Sequence, residues 1–118
     1  MTDARLVDYI SHILEAAKLA CVYVEGIDRD AFNADTRTQQ AVVMNIIVMG
    51  EAATKLASES PEFVDAHPEI PWKSMRGMRN RIAHGYFEID FAVVWDTVQI
   101  ALPQLIEKLA PIHRELKK

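Results

Sequence analysis

The 118-residue sequence has a single cysteine and only four glycines, and these low counts limit the kinds of fold and site that the chain can form. One cysteine, Cys21, excludes an internal disulfide and a cysteine-rich zinc site. Period-two alternation between hairpin turns is also missing, which argues against β-structure. The opening residues MTDARLVDYI lack the basic stretch and apolar run of a signal peptide. We therefore expect one all-α, cytoplasmic domain over residues 1–118.

Long apolar runs and excess positive charge are scarce as well. The longest strongly apolar run, residues 41–50, contains Asn45 and is shorter than the about 20 residues that a spanning helix needs, so no membrane is expected. The net charge of −4 argues against a general nucleic-acid binder. Residues 72–85, however, contain four basic residues and no acid, which leaves −8 for the remainder of the chain. Such a segment is either a solvated helix face or a local site for a phosphate chain.

Apolar residues at three- and four-residue spacing predict four long helices. The first spans about residues 3–25, with Thr2 or Asp3 at its start and Gly26 at its end. A short turn follows over residues 28–33, anchored by Phe32. The second helix spans about residues 35–58 and is apolar nearly all round, which is typical of a bundle centre or a subunit interface.

The second half of the chain continues this pattern. Residues 61–67 are expected to form a short connector, and a third helix spans residues 72–84, with Gly85 as the left-handed residue that ends it. The fourth runs from its N-cap Asp90 to about residue 109, with a kink at Pro103, and Pro111 disturbs the tail. Short connections between four helices predict an antiparallel up-and-down four-helix bundle with short extra helical turns.

One segment of the third helix has residues suited to chemistry. On an ideal helix, an apolar stripe lies within about 60° and faces the core (Met75, Met78, Ile82). His84 lies about 180° from Met75, and Asn80 lies about 40° from His84. Arg79 is about 140° from His84, but its side chain is long. The spacing therefore predicts that Arg79, Asn80 and His84 face one polar cleft.

These three residue types suit the cleavage of a phosphodiester. Histidine moves protons near neutral pH, arginine binds phosphate in two-pronged fashion, and asparagine orients either partner. RNA supplies its own nucleophile, the 2′-hydroxyl, so no metal is required. Two structural alternatives stay open: His84 can cap the helix C-terminus, and Arg79 can pair with an acid on a neighbouring helix.

The same segment carries a resemblance to a known family. Arg79, His84 and Tyr86 form an Arg-x4-His-x-Tyr motif, with Asn80 after the arginine and GYFEID after the histidine. Residues 50–52, Gly-Glu-Ala, lie in the middle of the apolar second helix. This combination resembles the HepT-like toxins of the HEPN superfamily, and the resemblance covers nearly the full chain.

The resemblance implies a function and partners. It implies a homodimer whose two Arg-x4-His motifs meet in a cleft, acting as an endoribonuclease without metal or cofactor. It also implies the toxin of a type II toxin–antitoxin system, encoded beside a minimal nucleotidyltransferase antitoxin that can transfer AMP to Tyr86. Two alternatives are a non-catalytic nucleotide- or RNA-binding module that docks onto a nucleotidyltransferase, and a helical bundle without a ligand.

Other residues have a functional and a structural interpretation each. Glu51 either orients Arg79 or forms an ordinary ion pair, and Arg76 and Arg81 either bind RNA or are solvated. Tyr86 either is accessible near the cleft or packs on the fourth helix. Asn45 is expected to have a hydrogen-bond partner. Core packing is favoured for both tryptophans and four methionines, and three histidines lack metal-ligand spacing (Trp72, Trp95; Met44, Met49, Met75, Met78; His12, His67, His113).

Overall fold

The computed structural model describes residues 3–118, which are helical over most of their length. Thr2, one of the two predicted caps, lies outside these residues. The elements in chain order are α1 (Ala4–Tyr23), α2 (Arg29–Asn33), α3 (Thr36–Glu59), α4 (Pro61–Ala66), α5 (Trp72–His84), a 3₁₀ turn (Tyr86–Glu88), α6 (Phe91–Asp96), a π-helical turn (Thr97–Ala101) and α7 (Leu102–Leu116).

Aspartate side chains cap four of these helices. Asp3 accepts from the backbone N–H of Arg5 at 2.9 Å, and Asp90 accepts from Ala92 at 3.0 Å. Asp28 and Asp35 cap α2 and α3 in the same way. Each cap satisfies an N–H that has no partner within its helix, which fixes where the helix begins. The predicted caps Asp3 and Asp90 are confirmed.

The long helices run antiparallel, as contacts between their ends show. Tyr9, near the start of α1, donates to Glu59 at the end of α3 with 3.0 Å between oxygens. Ser11 contacts His113 near the end of α7 at 2.7 Å, so α1 and α7 also run in opposite directions. Helix α3 lies between α1 and α5. The predicted all-α antiparallel bundle is confirmed.

Helix α3 has the length and apolar composition of a membrane span, with a mean hydropathy of 1.3 over its most apolar window. Its position explains this composition, because it contacts both α1 and α5 and contributes nine residues to the interior. The core helix of a globular bundle meets the same criterion, so the hydropathy is weak evidence for a membrane.

Three local predictions are wrong. Gly85 has φ −133° and ψ 45° and is not left-handed, because the chain passes through it from α5 directly into the 3₁₀ turn. Residues 61–66 form α4 rather than an irregular connector, since Pro61 at the first helical position needs no N–H partner. Helix α7 continues through Pro111 to Leu116, because the missing hydrogen bond falls on the exposed side of the helix.

Pro103 affects the chain one turn earlier than its own position. It lies in the first turn of α7, where a missing N–H costs little, and the π-helical turn Thr97–Ala101 directly precedes it. The predicted fourth helix therefore runs on through this turn, with helical backbone from α6 to α7. Helix α6 contacts α2, where Trp95 stacks at a tilt on Phe32 with 5.3 Å between ring centroids.

The burial of His113 near the end of α7 makes the stability of the fold depend on pH. Burial, together with the charges of Lys117 and Lys18, lowers the pKa of His113 below its ordinary value of 6.5. The folded state therefore favours neutral imidazole, and protonation is easier in the unfolded chain. Stability should be full above pH 6.5 and should decrease as the pH falls through this value.

Urea unfolding at about pH 7.5 and about pH 5.5 measures this dependence, since carboxylates titrate mostly below that window. His113→Asn keeps a polar partner for Ser11 and removes the titration, so its stability should change less between the two pH values. Equal pH dependence in both proteins would contradict the prediction. His12→Asn, at an exposed position on α1, is the matched control.

Candidate active site

The site begins with an unusually close approach between α3 and α5 at Gly50. A Cβ atom placed on Gly50 would overlap the Cβ of Arg79 and would lie 2.9 Å from the carbonyl oxygen of Met75. The absence of a side chain is what lets the two helix backbones come this close. Because this contact lies on the first half of its stem, the guanidinium of Arg79 extends along α3.

The next residue of α3, Glu51, forms an ion pair with Arg79. The side chains are 45% and 33% exposed, so the pair lies at the edge of the α3–α5 contact and is open to solvent. Solvent screening makes such a pair a modest contribution to stability. Its effect is to fix the direction of a long side chain. The expected acid partner of Arg79 is therefore present, and it is Glu51.

The guanidinium of Arg79 still has hydrogen-bonding capacity. Nη1 donates to Oδ1 of Asn80 at 2.9 Å, Nη2 faces Glu51, and Nε is buried without a partner in the described part of the chain. Each terminal nitrogen has two N–H groups, so one on each remains for a ligand. The guanidinium is 33% exposed, and its remaining N–H groups can donate to the oxygens of a phosphate.

His84 is the last residue of α5 and is exposed. The stripe predicted to face the core does so, with Met75 and Ile82 buried and Met78 half-buried, so His84 lies on the opposite, outer side. Asn80, one turn earlier, is exposed and holds Arg79. The structure thus joins Glu51, Arg79 and Asn80 by direct contacts and leaves the imidazole of His84 open to solvent one turn away.

The two other arginines of α5 lie on different sides of it. Arg76 is half-buried in a depression with Trp72 and Lys73, between α5 and the α4 region. Arg81 lines a groove that reaches Val93 of α6. They flank the outer face of α5 from two directions, and neither makes an ion pair with an acid of residues 3–118.

Two aromatic residues follow the histidine in the 3₁₀ turn. Tyr86 is 53% exposed and lines a groove of about 490 Å³ between the turn and the first half of α3. Its neighbours in the groove include Val43 and Ile47 of α3 and Phe91 at the start of α6, so the ring is accessible and also lies beside the fourth helix. Phe87 is 99% exposed, a position that was not predicted from the sequence. The sequence feature that could have identified it is a large apolar residue in a short polar turn.

The bulky residues favoured for the core mostly lie there. Trp72 is buried and donates its indole N–H to the carbonyl of His67 at 3.0 Å, and Trp95 is half-buried. Asn45 finds its partner within its own helix, the carbonyl of Ala41 at 2.9 Å. Met44 is the exception: its side chain is 60% exposed, so its assignment to the core is wrong. An apolar helix that is only half covered places some of its residues outside.

Within residues 3–118, no three histidine, cysteine or acidic side chains lie close enough together to hold a metal ion.

A family model described as "Ribonuclease HepT-like" matches residues 13–112, which include the whole Arg-x4-His-x-Tyr motif. No solved structure matches the chain.

Several curated proteins are similar over most of the chain. A probable ribonuclease HepT of Thermococcus cleftensis is 35% identical over 107 residues, covering 91% of this chain and 94% of its own. A putative RNase of Caldanaerobacter subterraneus subsp. tengcongensis is 30% identical over 109 residues, covering 92% and 95%. A gamma-glutamylcyclotransferase and putative RNase of Methanocaldococcus jannaschii is 34% identical over 110 residues, covering 93% of this chain and 48% of its own.

Proposed function

The chain belongs to the HepT-like ribonuclease family, and on that premise we propose that it is a metal-independent endoribonuclease with Arg79 and His84 at its centre. The family match confirms the resemblance drawn from the motif. The observation that carries the proposal is the partly exposed guanidinium of Arg79, held by Glu51 and Asn80, on the same helix as the exposed imidazole of His84 five residues later. The cytoplasmic location stays a prediction that follows from an RNA substrate.

The proposed reaction uses the 2′-hydroxyl of RNA as the nucleophile. The 2′-oxygen forms a bond to phosphorus, the bond from phosphorus to the 5′-oxygen breaks, and a 2′,3′-cyclic phosphate and a 5′-hydroxyl result. His84 takes the proton of the 2′-hydroxyl or gives one to the leaving 5′-oxygen. Arg79 stabilises the charge that develops on the phosphoryl oxygens, while Asn80 and Glu51 position it. Arg76 and Arg81 hold adjacent phosphates.

A single copy of the chain has one histidine at the proposed site, His84, whereas the reaction needs both a base and an acid. The outer face of α3 suggests how a second copy supplies the other. Met44 and Val48, 60% and 36% exposed, lie on the same face as Glu51 at steps of four and three residues. A second copy covering this face by a two-fold axis would bring the two Arg79–Glu51 pairs together. We therefore propose a homodimer in which the two motifs divide the acid and base roles.

The molecular mass in solution tests this assembly. Light scattering should give twice the chain mass of 13.4 kDa. Met44→Lys places a charge on the apolar face and should shift the protein towards the monomer, because an unpaired charge in an interface is costly. Ile100→Lys, at another exposed apolar position on the π-helical turn, should leave the mass unchanged. A monomeric wild-type protein at micromolar concentration would refute the dimer.

We further propose that the protein is the toxin of a two-gene type II system, whose minimal nucleotidyltransferase antitoxin transfers AMP to Tyr86. The half-exposed ring supports this, because its hydroxyl lies on an open groove two residues after His84. An adenylyl group there adds negative charge and bulk beside the phosphate-binding residues and would block RNA. Co-expression with the neighbouring nucleotidyltransferase should add one adenylyl mass to the wild type and none to Tyr86→Phe.

Cleavage of labelled single-stranded RNA in excess EDTA tests the central proposal. The wild-type protein should cleave, and Arg79→Ala should be slower by about 10²–10³-fold because one charge-stabilising group is lost. A 2′-deoxy nucleotide at the cleaved position should block the reaction. Arg37→Ala, on the exposed start of α3, is the matched arginine control. Cleavage that requires a divalent ion, or full activity in Arg79→Ala, would overturn the mechanism.

A further inference from the structure

Phe87 is the most exposed large apolar side chain in residues 3–118, with 99% of its surface in contact with solvent. The ring of Tyr86 lies beside it in a T-shaped arrangement, with ring centroids 5.8 Å apart and planes at 85°. At 99% exposure the phenyl ring is nonetheless open to solvent. Keeping an entire aromatic ring in water is unfavourable, so a ligand that covers it gains free energy.

The backbone that carries the ring is held by hydrogen bonds on both sides. The 3₁₀ turn that carries it is closed by the N–H of Glu88 donating to the carbonyl of Gly85 at 2.8 Å. Helix α5 precedes this turn, and the capped start of α6 at Asp90 follows it. Phe87 is three positions after His84 in the chain, a span of at most about 11 Å. The ring is thus within one nucleotide's reach of the proposed reaction centre.

The surroundings of Phe87 favour a nucleobase over a protein surface. Apolar grooves lie nearby, but Phe87 lines neither of the two that reach the turn, and its exposed neighbours include His84 and Glu88. An exposed flat ring beside polar groups and the basic helix α5 matches the face of one base of an RNA strand, and the half-exposed ring of Tyr86 extends the same aromatic surface. The carboxylate of Glu88 repels phosphate, so the RNA backbone lies towards the basic helix α5 and the base lies towards Phe87.

From this placement we infer that Phe87 stacks on the nucleobase next to the scissile phosphate and so favours single-stranded over base-paired RNA. The inference rests on the proposed ribonuclease function, because it assigns the substrate's base to a site beside Arg79 and His84. Base-paired RNA keeps its bases stacked on one another, so the protein should discriminate against duplexes.

Binding of an oligonucleotide that cannot be cleaved tests the stacking directly. The probe is a short single-stranded RNA with every 2′-hydroxyl replaced by fluorine, measured by fluorescence anisotropy. Phe87→Ala should weaken binding by about 5- to 150-fold, the range for one base on one aromatic ring. Phe87→Trp should bind at least as tightly as the wild type. Phe87→Leu, apolar but not flat, should bind as weakly as alanine.

An abasic nucleotide moved along the probe gives the sharper result. At one position it should weaken binding to the wild type and have no further effect on Phe87→Ala, because the base and the ring are the same contact. Ile100→Ala is the control for loss of an exposed apolar side chain. Unchanged binding by Phe87→Ala, full rescue by leucine, or a changed molecular mass in Phe87→Ala would overturn the inference. The last result would assign the ring to a protein contact.

These outcomes separate the two proposals. If the wild type cleaves RNA and Phe87→Ala cleaves and binds equally well, the stacking is refuted and the ribonuclease stands. A wild type that binds the probe through Phe87 but cleaves nothing supports the stacking and refutes the proposed reaction. A wild type that neither binds nor cleaves overturns both.

Discussion

Replacing His84 with alanine is expected to slow RNA cleavage by about 10²–10⁴-fold while leaving the bundle folded. The side chain lies on the outer side of α5 and is exposed, so its removal disturbs no core contact. The loss should appear in kcat, because a proton is transferred only as the reaction proceeds, and the affinity for uncleavable RNA should change little. Single-turnover kinetics with a defined RNA measure both quantities.

His12→Ala is the matched control, since His12 is also exposed but lies on α1. It should retain wild-type cleavage. In a dimer, one further result distinguishes divided from duplicated roles. If the two histidines act as acid and base on one substrate, a mixed dimer with one His84→Ala copy should be nearly as slow as the double variant. Wild-type rates in the His84→Ala protein would exclude the proposed role of His84.

Replacing Gly50 with alanine is expected to damage both stability and catalysis, although the change adds one methyl group. The new Cβ would overlap Arg79 and crowd the carbonyl oxygen of Met75, so α3 and α5 must separate. Overpacking of this kind typically costs about 1–3 kcal/mol, partly offset by alanine's better helix propensity. Because the guanidinium of Arg79 moves with its stem, we expect an additional loss of about 10²-fold in kcat.

Gly77 offers a close control for this variant. It also lies within a helix, and a Cβ placed on it meets nothing within 4 Å. Gly77→Ala should therefore be more stable than the wild type by about 0.5–1 kcal/mol and equally active. Urea unfolding and single-turnover cleavage of the two variants give the comparison. Unchanged activity in Gly50→Ala would mean that Arg79 does not depend on this close contact for its position.

Local chemistry predicted much of this structure. Helix periodicity and the caps at Asp3 and Asp90 depend on neighbouring residues, and they were placed correctly. The core stripe of α5 and an acid partner for Arg79 followed from the same kind of reasoning. Helix α4 was missed because its six residues are too few to show a period. The conformation of Gly85 was missed because a glycine after a helix permits several conformations.

Features that depend on tertiary packing were harder to predict. Because α3 is apolar nearly all round, its composition does not indicate which side of the helix faces the core. Nothing in the sequence therefore shows that Met44 faces outward while Met49 is buried. The overlap that a side chain on Gly50 would cause arises only when α5 is laid against α3. The exposure of Phe87 likewise depends on how the chain leaves α5. The catalytic roles of Arg79, Asn80 and His84 stay predictions until the variants are measured.

The position of α5 in the bundle has a consequence for its motion. Its principal helix neighbour is α3, whereas α3 itself is held between two helices. Helix α5 also begins after Pro71 without a side-chain cap. Its amide hydrogens should therefore exchange with solvent through local opening at a lower free energy than those of α1 and α3. A partner that covers the outer faces of α3 and α5 would slow this exchange. Assembly would then also determine how long Arg79 and His84, the proposed catalytic residues, keep their positions on the folded helix.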